Sequence, residues 1–361
     1  MPVLFQIDLK LAKFTLVAQQ APVPVIVASN SQQKPRKCKE LDTRILACDA
    51  SGIARAAELL KSGSLVAIPT ETVYGLAADA RSDKAVQKIY DAKKRPSANP
   101  LILHLASISD LSKYAVASEW AMGLARRFWP GPLTMVLPAK KNSGISRLAT
   151  AGHPTVALRV PDHGAAREIL AEFGGPAAAP SANISGRVSP TESSHVLEDL
   201  RGRIDAVVDG GSCAAGIEST ILAIAGDSIR MLRPGAIAAE EIESAIDGEI
   251  QLCPDSGAPP SPGRGFAHYA PESRVRINVE RPRNGELWLG FGPRAEGALM
   301  NLSETGSLKE AASNLFKMMR TIDNAAIACG ASAIAVSRIP ESGLGRAIND
   351  RLKRAADGRQ T

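Results

Sequence analysis

The stretch ASGIARAAELLKSGSLVAIP, residues 50–69, decides the fold class of this chain of 361 residues. Its apolar residues recur at helical spacing until Gly63 ends the pattern, so a helix is predicted over 50–63 and a short apolar strand over 64–69. The same alternation continues downstream, with helices predicted at 85–95, 119–129, 164–174 and 194–202, strands at 101–105, 133–138, 155–160 and 205–211, and a hairpin at 219–234. Strands that alternate with helices predict an α/β domain with a mixed sheet.

A segment rich in proline, glycine and serine, PDSGAPPSPGRGFAHYAPE (254–272), predicts a semi-rigid linker after this domain. Beyond it we expect a strand at 285–292, a long helix that opens with a capping box from Ser307 to Glu310 and closes at Gly330, a strand at 331–339 and a final helix at 348–356. The chain is therefore divided into a poorly ordered extension (1–45), a large α/β domain (46–250), a linker (251–272) and a smaller α/β domain (273–361).

The composition predicts a globular protein with a mild basic excess. Hydrophobic residues make up 45% of the chain and charged residues 22%, and the net charge of +6 permits contact with nucleotides or nucleic acid without requiring it. Aromatic residues are only 4%, which disfavours a base-stacking platform. The five cysteines form no C-x-x-C, and no H-E-x-x-H is present, which argues against a zinc site or a disulfide framework.

The same features predict a cytoplasmic protein. No apolar run approaches the ~18 residues that span a membrane. Residues 1–40 contain few acidic residues and end in a basic polar segment, so they are either a poorly ordered extension, which we expect, or an organellar transit peptide.

Hydroxyl and cationic side chains follow several predicted strands. They occur in IPTETV (68–73), in DAKKR (91–95), at Arg159 on an apolar strand, in PSANISGRVSPT (180–191), and in GIEST (216–220) with RMLRPG (230–235). Taken singly, each has a structural explanation such as a helix cap, a turn or complementation of a helix dipole. Together they predict one anion-binding cleft at the strand ends, although the chain lacks G-x-x-x-x-G-K-[ST] and G-x-G-x-x-G.

The residues alone leave the partner of Arg159 open, but they decide the origin of a repeated tetrapeptide. A buried guanidinium needs an anion, so Arg159 should meet either a protein carboxylate or a ligand. The tetrapeptide PSAN occurs at both Pro96 and Pro180, but the flanks of the two copies share nothing else, which rejects an internal duplication.

Six motifs in order resemble the YrdC-like threonylcarbamoyl-AMP synthases: PTETVYGLAADA (69–80), AKKRPSANPLILH (92–104), FWPGPLTMVLP (128–138), APSANISGRVSPT (179–191), GIESTI (216–221) and RPG (233–235). HYAP (268–271) and the tail up to residue 356 resemble the long, two-domain form, so the resemblance covers nearly everything from about residue 50 onward. It implies a twisted mixed-sheet domain with a concave basic cleft, and a smaller Rossmann-like α/β domain.

The resemblance also implies a reaction. L-threonine, bicarbonate or CO2, and ATP give threonylcarbamoyl-AMP and pyrophosphate, and a separate transferase complex uses the product to modify tRNA. Magnesium is expected to arrive with ATP as substrate, with no metal held by the protein itself, and tRNA contact is expected to be weak. Neither bond-forming step needs a covalent enzyme intermediate, so positioning and electrostatic stabilisation should carry the catalysis.

Site roles follow from the matching positions. The resemblance implies that Lys93 and Arg95 are the catalytic cations at the phosphates. It places ATP against Arg95, Asn99, Thr155, Ser181, Asn183, Ser189, Arg233 and Tyr269. It places threonine against Thr72, His104, Arg159, Ala179 and Ser219, with Arg159 on the α-carboxylate and Ala179 acting through its backbone. Both PSAN segments should then face the same nucleotide.

The chain departs from the family pattern at Lys94, where glycine is common, and in the Arg-Gly-Phe that precedes Ala267 and HYAP. The alternative hypothesis from a different class is a non-catalytic module that binds double-stranded RNA or tRNA through its basic cleft, with strongly salt-dependent affinity. A carbamoyl-transferring maturation factor shares this domain type but would need zinc-binding cysteines that this chain lacks.

Overall fold

The structure is a computed structural model that describes residues 41–226, 228–248, 250–252 and 269–358. The predicted N-terminal extension and linker lie largely outside these residues, as do the Arg-Gly-Phe departure, Cys38 and Cys253. Cys48, Cys213 and Cys329 are free thiols.

One large sheet takes its strands from residues 44–252. These strands are β1 (Arg44–Ala47), β2 (Val66–Ile68), β3 (Gly75–Asp79), β4 (Ile102–His104), β5 (Leu133–Pro138), β6 (Thr155–Arg159), β7 (Ala177–Ala178), β8 (Ala206–Asp209), β9 (Thr220–Ala225), β10 (Ser228–Arg233) and β11 (Gln251–Leu252). Their spatial order is β1-β8-β2-β3-β7-β4-β6-β5-β9-β10-β11. Parallel pairs such as β4 with β6 alternate with antiparallel pairs such as β9 with β10, so the predicted mixed sheet and hairpin are confirmed.

Helices cover both faces of this sheet. They are α1 (Ala50–Lys61), α2 (Asp83–Lys93), α3 (Leu111–Tyr114), α4 (Glu119–Phe128), α5 (Gly164–Phe173), α6 (Ser193–Leu200) and α7 (Ala239–Ile246). Strand β2 shows how the layers form, because its side chains alternate in direction. Val66 and Ile68 pack with α1 and α5, whereas Ala67 packs into the core on the opposite face. The five predicted helices of this domain are confirmed.

The predictions missed short strands whose sequence is small or polar. Residues 75–79, where the sequence predicts no strand, form β3, which pairs with β2 and β7. The backbone N–H of Leu76 donates to the carbonyl of Pro180 at 2.7 Å, and that of Ala182 donates to the carbonyl of Tyr74 at 2.8 Å. These bonds hold the 74–76 and 180–182 segments side by side at the edge where the cleft was predicted.

A second sheet follows residue 269. Its strands are β12 (Val275–Val279), β13 (Glu286–Gly290), β14 (Met300–Asn301) and β15 (Ala333–Ser337), in the all-parallel order β12-β15-β13-β14. Its helices are α8 (Leu308–Cys329) and α9 (Leu344–Asp357). The expectation of a smaller α/β unit is confirmed.

The N-terminus of α8 departs from the predicted capping box. Ser307 Oγ accepts from the N–H of Glu310, as expected. The reciprocal half runs through Ser303, whose Oγ accepts from the Ser307 N–H at 2.9 Å and donates to Glu310 Oε2 at 2.6 Å. The helix does end at Gly330, which adopts a left-handed φ of 66°.

The second α/β unit packs directly against the first. Val73, Val188 and Ile217 of the first unit belong to the same hydrophobic cluster as Phe316 of α8. Gly216 explains how close the chains come, since a Cβ at this residue would lie 2.3 Å from a backbone oxygen of α8. The cleft described next therefore has residues of α8 and α9 behind it.

Candidate active site

A narrow cavity of about 50 Å³ lies where the 70–75 segment meets the carboxyl ends of β4 and β6. Every residue predicted for the amino acid lines it: Thr72, His104, Arg159, Ala179 and Ser219. Part of the set predicted for ATP lines it as well: Arg95, Ser181, Arg233 and Tyr269. Arg95 and Ser181, one from each PSAN segment, thus share one cavity, which agrees with the expectation that both segments face one ligand.

The threonine end of the cavity is built on two neighbouring parallel strands. His104 on β4 lies in register with Arg159 on β6. Burial, and after it the Arg159 guanidinium, lowers the pKa of His104 to about 3, so this imidazole is neutral at physiological pH. A neutral imidazole beside a guanidinium offers hydrogen bonds without adding charge.

Arg159 forms an ion pair with a protein carboxylate. Its Nη2 lies 2.7 Å from Glu71 Oε2, and its Nε donates to the carbonyl of Gly131 at 3.3 Å. The residues alone left a carboxylate and a ligand open for Arg159, and this structure supplies the carboxylate while the side chain still faces the cavity. The contact to a substrate carboxylate stays a prediction.

Two further buried arginines face the same space. Arg95 donates through Nη2 to the carbonyl of Pro100 at 3.1 Å and through Nε to that of Asn99 at 3.4 Å. Arg233 donates to the carbonyl and the hydroxyl of Ser219, at 2.9 and 3.2 Å from Nη2. Burial lowers the pKa of Arg95 to about 10, and also lowers the pKa of Arg233, yet Arg95 remains a cation at neutral pH.

Lys93 supports the serine loop from behind rather than lining the cavity. It is buried, and its Nζ donates to the carbonyls of Ser181 and Asn183, both at 2.5 Å. Burial, followed by the nearby Arg95, lowers its pKa well below the ordinary value for lysine. Asn183 donates through Nδ2 to the carbonyls of Ile184 and Arg187. Both side chains therefore fix the backbone that presents Ser181.

A hydrogen-bonded network joins the cavity to α9. Ser189 Oγ donates to Glu218 Oε1 at 2.6 Å, and Arg351 Nε donates to Glu218 Oε2 at 3.0 Å. Arg351 is only 1% exposed, and its Nη1 donates to the carbonyl of Pro234 at 2.6 Å. Burial acts to lower the pKa of Arg351, but Tyr269, Glu218 and Asp350 outweigh it, so the pKa is raised and the side chain is a permanent cation.

Tyr269 closes the cavity from the side of the second α/β unit. Its ring stacks on Phe316 of α8 at 5.6 Å between centroids, and the Arg351 guanidinium lies 5.4 Å from its ring centre. Tyr269 holds a left-handed φ of 62°, a conformation that non-glycine residues adopt only when their surroundings fix it. Burial is the main cause that raises its pKa to about 12, so the phenol stays neutral.

Other predicted residues lie outside the cavity lining. Asn99 contributes its carbonyl to Arg95 and to the hydroxyl of Tyr90. Thr155 lines a separate small pocket together with Pro100. The nucleotide roles of Lys93, Asn99, Thr155, Asn183 and Ser189 therefore stay predictions.

Sequence reasoning missed three residues at the site. Glu218 lines the cavity, Thr134 shares a hydrogen bond with Ser219 Oγ at 2.8 Å, and Arg351 anchors Glu218. Glu218 sits within GIEST, one of the motifs that follow predicted strands, so the sequence does carry a signal for it. Arg351 gives no such signal because it is one of several cations on an amphipathic helix.

Within the part of the chain that the structure describes, no group of three or more His, Cys, Asp or Glu side chains could hold a metal ion. No helix among those same residues is long and apolar enough to cross a membrane.

Comparisons with known proteins cover both α/β units. A family model described as "Telomere recombination" matches residues 58–235, and one described as "Threonylcarbamoyl-AMP synthase, C-terminal domain" matches residues 237–357. A threonylcarbamoyl-AMP synthase of Bacillus subtilis is 43% identical over 85% of this chain and 93% of that relative. One of Pyrococcus abyssi is 41% identical over 83% of this chain and 93% of the relative. The crystal structure of P. abyssi Sua5 complexed with L-threonine superposes with a TM-score of 0.79 at 39% identity, covering 88% of this chain and 98% of that one.

Proposed function

The chain belongs to the threonylcarbamoyl-AMP synthase family, in its two-domain form, and we propose that it condenses L-threonine, bicarbonate or CO2, and ATP into L-threonylcarbamoyl-AMP with release of pyrophosphate. In the family, this product is the first intermediate in the threonylcarbamoylation of tRNA adenosine.

One observation in the cavity supports this activity above others. Arg95 and Ser181 lie against the same space as Arg159 and His104. Among the described residues no carboxylate pairs with Arg95, whose contacts are backbone carbonyls, so its charge is available to an incoming anion. Arginine matches phosphate oxygens with a planar fork of donors. A phosphate-bearing substrate and a small amino acid therefore have adjacent sites.

The threonine half of the reaction is proposed to use the β4 and β6 strand ends. The substrate carboxylate binds beside Arg159, where it either replaces Glu71 or lies next to it. The Thr72 and Ser219 hydroxyls bind the polar groups of the amino acid. Its amine attacks the carbon of CO2 and releases a proton to water, which gives a carbamate. His104 stays neutral through this step and serves to orient groups rather than to carry a proton.

The nucleotide half uses the arginine and serine groups. A carbamate oxygen attacks the α-phosphorus of ATP, and pyrophosphate leaves with the electron pair of the broken P–O bond. Arg95 and Arg233 stabilise the charge that grows on phosphate oxygens, while Lys93 keeps the 181–183 backbone in place. Preorganised donors of this kind lower the barrier because they need not reorient as charge develops.

Magnesium is proposed to enter with ATP as part of the substrate. The carboxylates in and beside the cavity are both engaged, Glu71 by Arg159 and Glu218 by Ser189 and Arg351. This engagement of both carboxylates supports the proposal that the metal arrives with ATP. We further propose that the enzyme works in the cytoplasm and hands its product to a tRNA-modifying transferase complex.

The alternative of an RNA-binding module is disfavoured by burial. Arg95, Arg159 and Arg233 are 9%, 3% and 5% exposed, so the backbone of a duplex could not reach their charges. Non-specific RNA binding depends on cations that neutralise phosphates at an accessible surface.

Mass spectrometry of the product tests the proposed function. The full chain is incubated with ATP and bicarbonate, and either L-threonine or L-serine is added. We expect an adduct of AMP with carbamoylated threonine, no requirement for RNA, and little serine product. Absence of the adduct while pyrophosphate is released would contradict the assignment, and so would adduct formation only in the presence of tRNA.

A further inference from the structure

A second and larger cavity, of about 820 Å³, lies in the small α/β unit. Apart from Gly306, the lining residues directly follow or end three parallel strands: Val279–Arg281 after β12, Trp288 and Phe291–Ala295 around the end of β13, and Ser337, Arg338 and Pro340 at the end of β15. No residue of this lining belongs to the candidate active site. The cavity is therefore a separate feature.

The topology of the small sheet accounts for this opening. From β13 the chain passes to β14 on one side of it and then returns to β15 on the other side, in the order β12-β15-β13-β14. The connection after β13 leads to β14 at one edge of the sheet, whereas the connection after β15 leads to α9, which contacts β12 at the other edge. Open parallel sheets bind ligands in the crevice that forms outside the strand ends at such a point.

The charge of the cavity is positive. Its lining holds three arginines, Arg281, Arg294 and Arg338, against one acidic residue, Glu280. Arg281 lies over the Trp288 ring at 5.2 Å and donates to the carbonyl of Glu296 at 3.2 Å. Arg294 and Arg338 are exposed to the cavity, and neither makes a hydrogen bond or an ion pair with another of the described residues. These two guanidinium groups are therefore open to an external anion.

The remaining wall is apolar and fixed by hydrogen bonds. Trp288 is buried, and its indole N–H donates to Ser337 Oγ at 2.9 Å, which ties the ends of β13 and β15 together. The Gly292 N–H donates to the carbonyl of Ser303, and the Gly292 carbonyl accepts from Asn301 Nδ2. Gly292 has a φ of 78°, so a bare backbone forms this part of the wall.

We propose that this cavity binds a nucleoside phosphate of about mononucleotide size. Arg294 and Arg338 bind the phosphate groups, and the wall formed by Val279, Phe291 and Pro340 receives the nucleoside. The volume lies within the range of about 300–1,000 Å³ that small-molecule sites occupy, and phosphate alone would leave most of it empty.

Calorimetric titration with ADP tests the proposal on the full chain. The candidate active site also accepts nucleotides under the proposed function, so the wild type is expected to bind two ADP per chain. The Arg95→Ala variant weakens the first site and leaves the second. In that background, adding Arg294→Ala and Arg338→Ala is expected to weaken the remaining ADP site at least tenfold, because two charge-assisted contacts are lost.

Matched controls separate a built site from general surface charge. Arg126→Ala with Arg127→Ala removes two exposed arginines from α4 and should leave both ADP sites unchanged. Inorganic pyrophosphate should bind the second site at least tenfold more weakly than ADP. The proposal is overturned if wild type binds a single ADP that the Arg294/Arg338 pair does not affect. Equal weakening by both arginine pairs, or equal affinity for pyrophosphate and ADP, overturns it too.

This outcome is independent of the proposed function. The Arg294/Arg338 variant, in an otherwise wild-type chain, is expected to synthesise threonylcarbamoyl-AMP at the normal rate. Product formation with no second ADP site would remove only the cavity proposal, and a second ADP site without product would remove only the proposed reaction.

Discussion

Replacing Arg351 by methionine should weaken both the stability of the protein and its turnover. The substitution roughly keeps side-chain volume but removes the cation that pairs with Glu218 and the donor to Pro234. Both partners of the pair are buried. Breaking a buried ion pair from one side costs about 3–5 kcal/mol because the other charge is left without compensation. That is a large part of the roughly 5–15 kcal/mol that stabilises a typical domain.

The loss of turnover is expected because Arg351 holds the carbonyl of Pro234, and Pro234 directly follows Arg233, which lines the cavity. A displacement of about 1 Å at a positioning group can lower the rate about a hundredfold. Urea unfolding measures the stability, and threonine-dependent pyrophosphate release at 25 °C measures kcat and KM. Arg351→Lys, which keeps the charge without the planar fork, should recover part of the stability and less of the rate.

A double-mutant cycle with Glu218→Gln decides whether the two effects come from the pair. We expect a coupling free energy above about 1 kcal/mol, since the residues are in direct contact. Arg346→Met is the matched control on the same helix, because Arg346 pairs with Glu240 at the surface and such pairs contribute at most about 1 kcal/mol. Coupling below about 0.5 kcal/mol together with unchanged turnover would refute the reasoning.

Four other substitutions have defined outcomes. Arg95→Ala should lower kcat about 10²–10³-fold in pyrophosphate release with an unchanged urea midpoint, whereas Arg126→Ala should change neither quantity. Arg159→Ala should raise the threonine KM more than the ATP KM, and unchanged threonine affinity by calorimetry would refute its carboxylate role. The pKa of His104 falls from 6.5 to about 3 on folding, so its contribution to stability is present above pH 6.5 and is lost as pH falls toward 3. Between these values the free energy of unfolding should therefore fall as pH falls. His104→Gln should reduce this pH dependence by up to about 1.36 kcal/mol per pH unit, as measured by urea titrations at several pH values. Lys94→Gly should raise the free energy of unfolding by about 1 kcal/mol and leave the activity unchanged. The reason is that Lys94 is exposed and holds a left-handed φ of 52°, which glycine adopts without strain. An unchanged or lower free energy of unfolding would contradict this.

The sequence predicted those parts of the fold that apolar periodicity controls. Helices such as α1 and α5 and strands such as β5 have patterns of their own, so they could be placed without the structure. The strand β3 could not, because GLAAD (75–79) has little β-propensity and is a strand through its pairing with β2 and β7.

The residues of the candidate site also fall into those that the sequence could predict and those that only the packing brings together. His104 and Arg159 could be expected to meet because they end two parallel strands, β4 and β6. Thr72 follows β2, which runs antiparallel to β4, so the strand ends alone do not account for its place in the cavity. Lys93 lies two residues before Arg95, yet it points under the serine loop, a direction that spacing alone does not fix. Glu218 and Arg351 are 133 positions apart, and only the packing of α9 brings them together.

The pairing of β1 with β8 has a consequence for how the chain folds during its synthesis. Arg44 lies in register with Ala206, and β8 also pairs with β2, so β8 occupies the place between two strands made much earlier. At about 5–20 residues per second, a ribosome needs roughly 8–30 s to make the intervening segment. Throughout that time β1 has no partner and the sheet ends at an open β2. We expect nascent chains that end before residue 206 to leave β1 accessible to proteases, and its protection to arise only when β8 has emerged.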